Sequence, residues 1–338
     1  MDKATPTTEK EASDWIRKVH SPSARSRSRG IVAALGSAVF LGMVPIFGKQ
    51  ALLLGLPPLA VVCIRTSLAA ILLFLVVFIF YRKYLYIYPA GMIGCLMAGW
   101  INGLGSLFYY SALARIDASV GHLLYSLYPL FLAFWLFLDR QPPSRMTWVR
   151  IALAIPAVYL LTQSSSNSID WIGVGEMLIA AALYALHLPI NQRVLYDMPA
   201  PTVTLYTLIA MSMVVVPAYF FIGDKPVAVN LNLWWPLLGL TLVTFFSRLM
   251  LFTGIKHLGG MQTAMLGLGE MFVVVFFSYI WLNEQLNLQQ WIGVILLIMS
   301  MVLVNLDKTP SWKNHTSAWL GWLKPPGLSS DYPWQSTK

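Results

Sequence analysis

Residues 58–81 read PLAVVCIRTSLAAILLFLVVFIFY, an apolar run with a single charged side chain, Arg65. An α-helix rises about 1.5 Å per residue, so about 20 mainly apolar residues cross the roughly 30 Å of hydrocarbon in a bilayer. This run is long enough for one crossing, and it has too few polar side chains to face water along its length. We therefore predict that it forms a transmembrane helix.

Runs of the same kind recur along the whole chain. We count ten of them, at approximately 30–54, 58–81, 88–113, 118–138, 148–162, 172–194, 202–222, 234–255, 261–282 and 290–306. The sequence therefore predicts an all-α membrane protein with ten transmembrane helices.

The composition agrees with this prediction. The chain of 338 residues is 57% hydrophobic and only 11% charged, whereas a soluble domain carries roughly 25% charge. Its net charge of +9 would suggest nucleic acid in a soluble protein, but the basic residues concentrate before the first apolar run and between the runs. We therefore expect a lipid bilayer and no nucleic acid as partner. Cys63 and Cys95 lie inside apolar runs and predict neither a metal nor a disulfide framework, and we expect no cofactor.

The distribution of Lys and Arg predicts the orientation. With ten spans both termini share one side of the membrane. Loops on that side hold Arg82, Lys83, Arg140, Arg145, Arg150, Arg193 and Lys256, and loops on the other side hold Lys49, Arg115 and Lys225. Because cytosolic loops are enriched in Lys and Arg, we predict that both termini are cytosolic in the plasma (inner) membrane. Residues 1–30 would be a disordered basic cytosolic tail, and residues 308–338 a Trp-rich cytosolic tail.

An internal repeat divides the chain into halves. Sliding the sequence along itself by about 142 residues, so that Phe108 lies opposite Met250, aligns approximately 108–161 with 250–304. Each half, 31–163 and 170–307, would hold five spans, so the second half would enter the membrane the opposite way round. Inverted repeats permit alternating access, because the two halves can exchange conformations. The repeat therefore favours a transporter, although channels and membrane enzymes also duplicate.

Five segments carry a resemblance to a known family. They are VVCIRTSLAAILLF (61–74, with Arg65), FYYSALARIDAS (108–119), YSLYPLF (125–131, with Pro129), GLGEMFVVVFFSYIWLNEQL (267–286, with Glu270 and Glu284) and QQWIGVILLIMS (289–300, with Gly293). In their order and spacing they resemble the EamA-like branch of the drug/metabolite transporter superfamily. The departures are Met271 where the family usually has proline, Asp139 and Pro142 where it has a glutamate, and Pro156 in place of a common glycine. The resemblance implies transport of small metabolites, usually outward, and leaves the substrate open.

The ionisable side chains inside the spans are the first candidates for a binding site. An ionisable group in hydrocarbon costs several kcal/mol unless it is paired or faces water. Arg248 and Glu270 lie near the middle of neighbouring spans. They either bind the carboxylate and amine of a zwitterion, with Glu270 as an alternative proton carrier, or form a permanent ion pair. Arg65 is expected to extend toward the headgroups; because the family resemblance includes it, a gating role is also open, and a structural salt bridge is favoured over contact with the substrate. Glu284 is expected to cap a helix or pair with a loop.

A second set of candidates combines histidine with tyrosine at helical spacing. His122, Tyr125 and Tyr128 stand three residues apart in the fourth span, as do Tyr184 and His187 in the sixth, so each set shares a helix face. Such a stripe either lines a small-ligand cavity or packs the core. Asn102 in the third span also needs a polar partner. The predicted substrate-binding residues are Asn102, His122, Tyr125, Tyr128, Tyr184, His187, Arg248 and Glu270.

Together these features predict a secondary transporter, not an enzyme. It would move small polar metabolites, most favourably amino acids or derivatives, outward across the plasma membrane. No Walker A loop is present, so a substrate or proton gradient would drive it. One alternative is a nucleotide-sugar, vitamin or drug carrier of the same fold; several basic residues reaching the cavity would favour an anionic cargo, and the sequence indicates chiefly Arg248. The other is a membrane enzyme acting on lipid, which would need clustered histidines and carboxylates, whereas the five histidines are scattered.

Overall fold

The computed structural model is helical throughout the part of the chain that it describes. This part comprises residues 24–138, 149, 152–153, 155–157, 159–160, 170–195, 198–222, 234–267 and 269–302. The helices are α1 (Ala24–Leu53), α2 (Pro58–Phe80), α3 (Pro89–Arg115), α4 (Ala118–Tyr125), α5 (Tyr128–Leu138), α6 (Trp171–Leu195), α7 (Ala200–Ile222), α8 (Trp234–Leu258), α9 (Gly260–Gly267), α10 (Glu270–Leu282) and α11 (Leu288–Val302). The C-terminal tail, most of the N-terminal tail and much of the predicted fifth span lie outside the described residues.

Seven described segments are long and apolar enough to cross a membrane. Six of them correspond to single helices (α1, α2, α3, α6, α7 and α8), and α4 with most of α5 forms the seventh. The helix α10 is apolar but shorter, and α11 has 15 described residues. Large apolar side chains, such as Phe80 and Phe221, are more than two-thirds exposed on the outside. The protein is an integral, multi-pass membrane protein, and the count of ten spans stays a prediction.

Two predicted spans are each built from two shorter helices. The span 118–138 is divided into α4 and α5, and the span 261–282 into α9 and α10. The first break lies at Ser126 and Leu127, and the second precedes Glu270. A break in a membrane-embedded helix leaves backbone groups without helical partners, which is tolerated where the backbone is buried in protein or lines a polar cavity.

The helix boundaries extend the repeat detected in the sequence. The shift that places Phe108 opposite Met250 also places the first and last residues of α2 opposite the first and last residues of α7. The same is true of α4 and α9. The same shift carries the last residue of α1 onto the last residue of α6, and the first residue of α5 onto the first residue of α10. Both halves therefore have the same order of helices, including the broken one.

Helices of one half pack on helices of the other half, and equivalent helices make equivalent contacts. Helix α1 of the first half packs on α8 of the second, and the equivalent helix α6 packs on α3. Helices α2 and α7, which are equivalent, pack on each other. Swapping the halves therefore leaves this set of contacts unchanged, as expected for two units related by a two-fold axis.

Charged and polar side chains form hydrogen bonds between helix ends, in one layer at each end of the helix bundle. In the layer predicted to be extracytosolic, Lys49 Nζ donates to the carbonyl oxygens of Leu113 (2.9 Å) and Ile116 (2.7 Å). In the layer predicted to be cytosolic, Thr202 Oγ1 donates to the Tyr84 carbonyl oxygen (2.8 Å). Each contact joins residues that the sequence-based prediction places on the same side of the membrane, and the orientation itself stays a prediction.

Glu284 caps the start of α4. Its Oε1 accepts from the Ala118 N–H (2.9 Å), and its Oε2 accepts from the Ser119 N–H (2.9 Å) and hydroxyl (2.7 Å). The expectation that Glu284 caps a helix is confirmed. In the same layer Asp170 accepts from the Gly173 N–H and pairs with Arg115 (3.6 Å). The Gly173 hydrogen bond and the nearby Arg115 charge lower the pKa of the Asp170 carboxyl.

The close approach of α3 to α7 gives a test of the packing. A Cβ atom added to Gly99 would lie 2.4 Å from the Ala210 Cβ and 2.6 Å from the Thr207 carbonyl oxygen, whereas one added to Gly175 would meet nothing within 4 Å. We expect Gly99→Ala to lower the thermal stability in detergent, by about 1–3 kcal/mol because overpacking forces backbone shifts. The matched control Gly175→Ala should leave the melting temperature nearly unchanged. Equal melting temperatures for the two variants would contradict the α3–α7 packing.

Candidate functional site

A small polar cavity lies where the two halves meet. Its volume is about 40 Å³, and side chains from α1, α2, α3, α4, α6, α8 and α10 line it. Six of the eight predicted binding residues are among them: Asn102, His122, Tyr125, Tyr184, Arg248 and Glu270. Tyr128 and His187 are buried beside Tyr184 and do not line the cavity, with ring centroids 5.0 Å and 4.7 Å from that of Tyr184.

Arg65 lines the cavity, contrary to the sequence-based expectation. Its side chain is 4% exposed and does not extend toward the headgroups. The guanidinium group donates to Thr244 Oγ1 and Ser106 Oγ, both at 3.3 Å, and its carbon lies 4.9 Å from the centre of the Tyr110 ring. No carboxylate among the described residues pairs with it. The depth of a residue along a helix does not define the helix face on which it lies, and Arg65 lies on the inner face.

Arg248 occupies the same cavity between Asn102 and Tyr184. When the Asn102 amide oxygen faces it, that oxygen accepts from the two terminal guanidinium nitrogens at 3.3 and 3.2 Å. The guanidinium carbon lies 5.6 Å from the centre of the Tyr184 ring. Arg248 and Glu270 both line the cavity, but they do not form a salt bridge in the described part of the protein. The permanent ion pair considered from the sequence is therefore absent from this conformation.

Glu270 faces His122 instead. The distance from its Oε1 to His122 Nε2 is 3.6 Å, and both side chains are at most 3% exposed. Neither of these two atoms has a hydrogen-bond partner among the described residues. On the other side of the imidazole ring, the Tyr109 hydroxyl lies 3.4 Å from His122 Nδ1. The arrangement is a buried acid–base pair with a polar contact behind the histidine.

Tyrosine rings form one wall of the cavity. The ring of Tyr125 lies 5.0 Å from Tyr109 and 5.2 Å from Tyr184, between ring centroids. Tyr128 continues the stack, 6.1 Å from Tyr125, and His187 Nδ1 contacts the Tyr184 carbonyl oxygen. The stripe predicted from helical spacing therefore both packs and lines the cavity. Since aromatic rings exclude water, the charges beside them lie in a low-dielectric environment.

Several cavity residues escaped the sequence analysis. They are Ser106, Tyr109, Thr244 and Ser247, whereas Arg65 was considered and given a structural role in preference to substrate contact. The repeat carries a signal for two of them, because the shift that relates the halves places Asn102 opposite Thr244 and Ser106 opposite Arg248. Tyr109 has no comparable signal, since it lies in a run of aromatic residues that also suits packing.

The two helix breaks lie next to this cavity, between Tyr125 and Glu270 of its lining and their neighbours along the chain. Helix α5 begins at Tyr128 and α10 at Glu270, which are equivalent positions in the repeat. The Tyr128 hydroxyl donates to the carbonyl oxygen of Ala264 in α9 (3.0 Å). A Cβ atom added to Gly267 would lie 2.7 Å from that hydroxyl oxygen. The first break therefore packs directly on the helix that leads into the second.

Across the described residues, no group of three or more His, Cys, Asp or Glu side chains could hold a metal ion. The polar groups of the cavity belong to both halves of the repeat and lie within a bundle of membrane-spanning helices. Such an architecture, with broken helices at the interface of two repeats, is that of a membrane transporter.

The comparison with protein families identifies the kind of membrane transporter. The model of the EamA-like transporter family matches residues 28–163 and again residues 171–306, so the chain belongs to this family. The family resemblance inferred from the five segments is confirmed.

Solved structures support the fold. Twenty-nine solved chains match. One of them, described as "Crystal structure of protein", superposes with a TM-score of 0.61 at 14% sequence identity and covers 82% of this chain and 97% of its own. At that identity the similarity establishes the fold alone. No curated protein matches the sequence.

Proposed function

We propose that this EamA-like transporter exports small polar metabolites, amino acids or their derivatives, across the plasma membrane as a secondary transporter. The observation that carries the proposal is the buried polar cavity between the two repeats, lined by Arg248 and Glu270. In the bound state the guanidinium group of Arg248 would take the substrate carboxylate, and the Glu270 carboxylate would take the amine. The absence of an Arg248–Glu270 salt bridge in the described residues supports this role, because both groups keep capacity for a ligand.

The small volume of the cavity supports alternating access. Small-molecule pockets typically occupy about 300–1,000 Å³, whereas the cavity volume here is about 40 Å³. A metabolite would fit only after helices on one side separate. The exchanged packing of equivalent helices supports an inverted repeat, in which the two halves swap conformations to open the site to one side and then to the other.

Uptake into proteoliposomes tests the proposal. We expect saturable, competable accumulation of one class of labelled amino acid or derivative from a panel that also contains nucleotide sugars, vitamins and drugs. Liposomes with the Arg248→Gln variant are the control for leakage, and uptake should fall because the carboxylate partner is lost. If no solute in the panel moves faster than in empty liposomes, the proposed function is wrong.

Proton coupling through Glu270 gives a second prediction. Glu270 is buried 3.6 Å from His122, so a proton taken up by this pair would change the charge of the cavity. We expect Glu270→Gln to remove the pH dependence of uptake, because an amide carries no exchangeable charge. The matched control is Glu176→Gln, at the start of α6 outside the cavity, which should keep the wild-type pH profile. An unchanged pH profile in Glu270→Gln would assign Glu270 to a structural role.

The membrane orientation gives a third prediction. The Lys and Arg bias of the loops predicts that both termini lie in the cytosol. A reporter that is active only in the cytosol, fused after Lys338, should be active, and one that requires export should be inactive. The reverse result would contradict the predicted orientation.

A further inference from the structure

The charges that line the cavity do not balance. Arg65 and Arg248 contribute two positive charges, and Glu270 contributes the one carboxylate among the cavity-lining residues. Both arginines are at most 7% exposed. With His122 neutral, the cavity has a formal charge of one positive unit, and with His122 protonated it has two. A buried excess of charge is costly in a low-dielectric interior, so the site favours a ligand that supplies the missing negative charge.

The contacts of the two guanidinium groups are to neutral partners. Arg65 donates to the hydroxyls of Ser106 and Thr244, and its Nε has no acceptor among the described residues. Arg248 faces the neutral Asn102 amide. A guanidinium group has five N–H donors, so both groups retain donors for a carboxylate or phosphate, which accept from arginine in a bidentate geometry.

The negative charge of Glu270 does not neutralise the positive charges of the two arginines. Its carboxylate faces His122 at 3.6 Å and forms no salt bridge with either guanidinium group in the described helices. Protonation of His122 would leave this pair neutral overall and both arginine charges uncompensated. Helix α10 also begins at Glu270, so its N-terminal backbone N–H groups add positive potential at the same wall.

We infer that the cargo is a small organic anion whose acidic group is held between Arg65 and Arg248. This inference rests on the proposed function and narrows it. A neutral zwitterion would leave the cavity with its excess positive charge, whereas a metabolite of net charge −1 or −2 neutralises it. Within the proposed class of amino acids and derivatives, the structure therefore favours those that carry an additional acidic group over their uncharged counterparts.

Matched acid and amide pairs test the inference on the unaltered protein. Labelled glutamate and glutamine, and labelled aspartate and asparagine, differ in charge but hardly in size, and succinate and glycerol phosphate extend the acids beyond amino acids. We expect at least one acid to be taken up, and to raise the melting temperature in detergent, while its amide has little effect. We also expect an inside-positive membrane potential to accelerate uptake of that acid. Uptake of an amide equal to or faster than uptake of its acid would overturn the inference and leave the transporter proposal intact.

Substitution of the arginines tests where the acid binds. We expect Arg65→Gln and Arg248→Gln each to reduce the apparent affinity for the acid roughly ten- to hundredfold, as for loss of a hydrogen bond to a charged group. The control Arg82→Gln removes the same charge from an exposed residue after α2 and should leave affinity unchanged. If Arg65→Gln folds, judged by its melting temperature, and keeps the wild-type affinity, Arg65 does not bind the acid and the inference is wrong. If only uncharged or cationic solutes are transported, the inference fails and the proposed transport function survives; if nothing is transported, both fail.

Discussion

Hydrocarbon offers no hydrogen-bond partner, so a polar group inside the bundle must find its partner within the protein. An arginine at the centre of a membrane helix costs about 2.5–3.5 kcal/mol on insertion scales, and this protein buries two, Arg65 and Arg248. Both lie beside hydroxyl, amide and aromatic groups at the same cavity. The cost is offset only if the two halves assemble around these groups. Assembly of the fold therefore depends on the same polar contacts that form the candidate site.

The sequence predicted well those features that depend on composition along the chain. Apolar length indicated the spans, and the rarity of charge inside them singled out Arg248 and Glu270, which line the cavity. Features that depend on the third dimension were harder to predict. Arg65 was expected near the headgroups because its position along α2 was known and its helix face was not. An ion pair of Glu270 with Arg248 was one of the two roles considered from the sequence, whereas the Glu270 carboxylate faces His122 of the other half.

The helix breaks themselves had no clear sequence signal. Ser126 and Leu127 are compatible with a continuous helix, and Pro129 lies in the first turn of α5, where proline is tolerated. The repeat would have related this break to the glycine-containing one before Glu270, because both halves break at equivalent positions. A weak local signal in one half thus gains strength when it is compared with its equivalent in the other half.

The side chains at the two breaks are not symmetric. The alignment of the two halves places His122 opposite Ala264, and Tyr125 opposite Gly267. The first half therefore supplies large rings where the second half supplies small residues, and the Tyr128 hydroxyl fits against Gly267 and the Ala264 carbonyl oxygen. As a result the two breaks share a contact surface. A bend at one break would therefore displace the surface against which the other break packs. Under the proposed alternating access, this shared contact would couple movement at one break to movement at the other, so that the two sides of the cavity would not open independently.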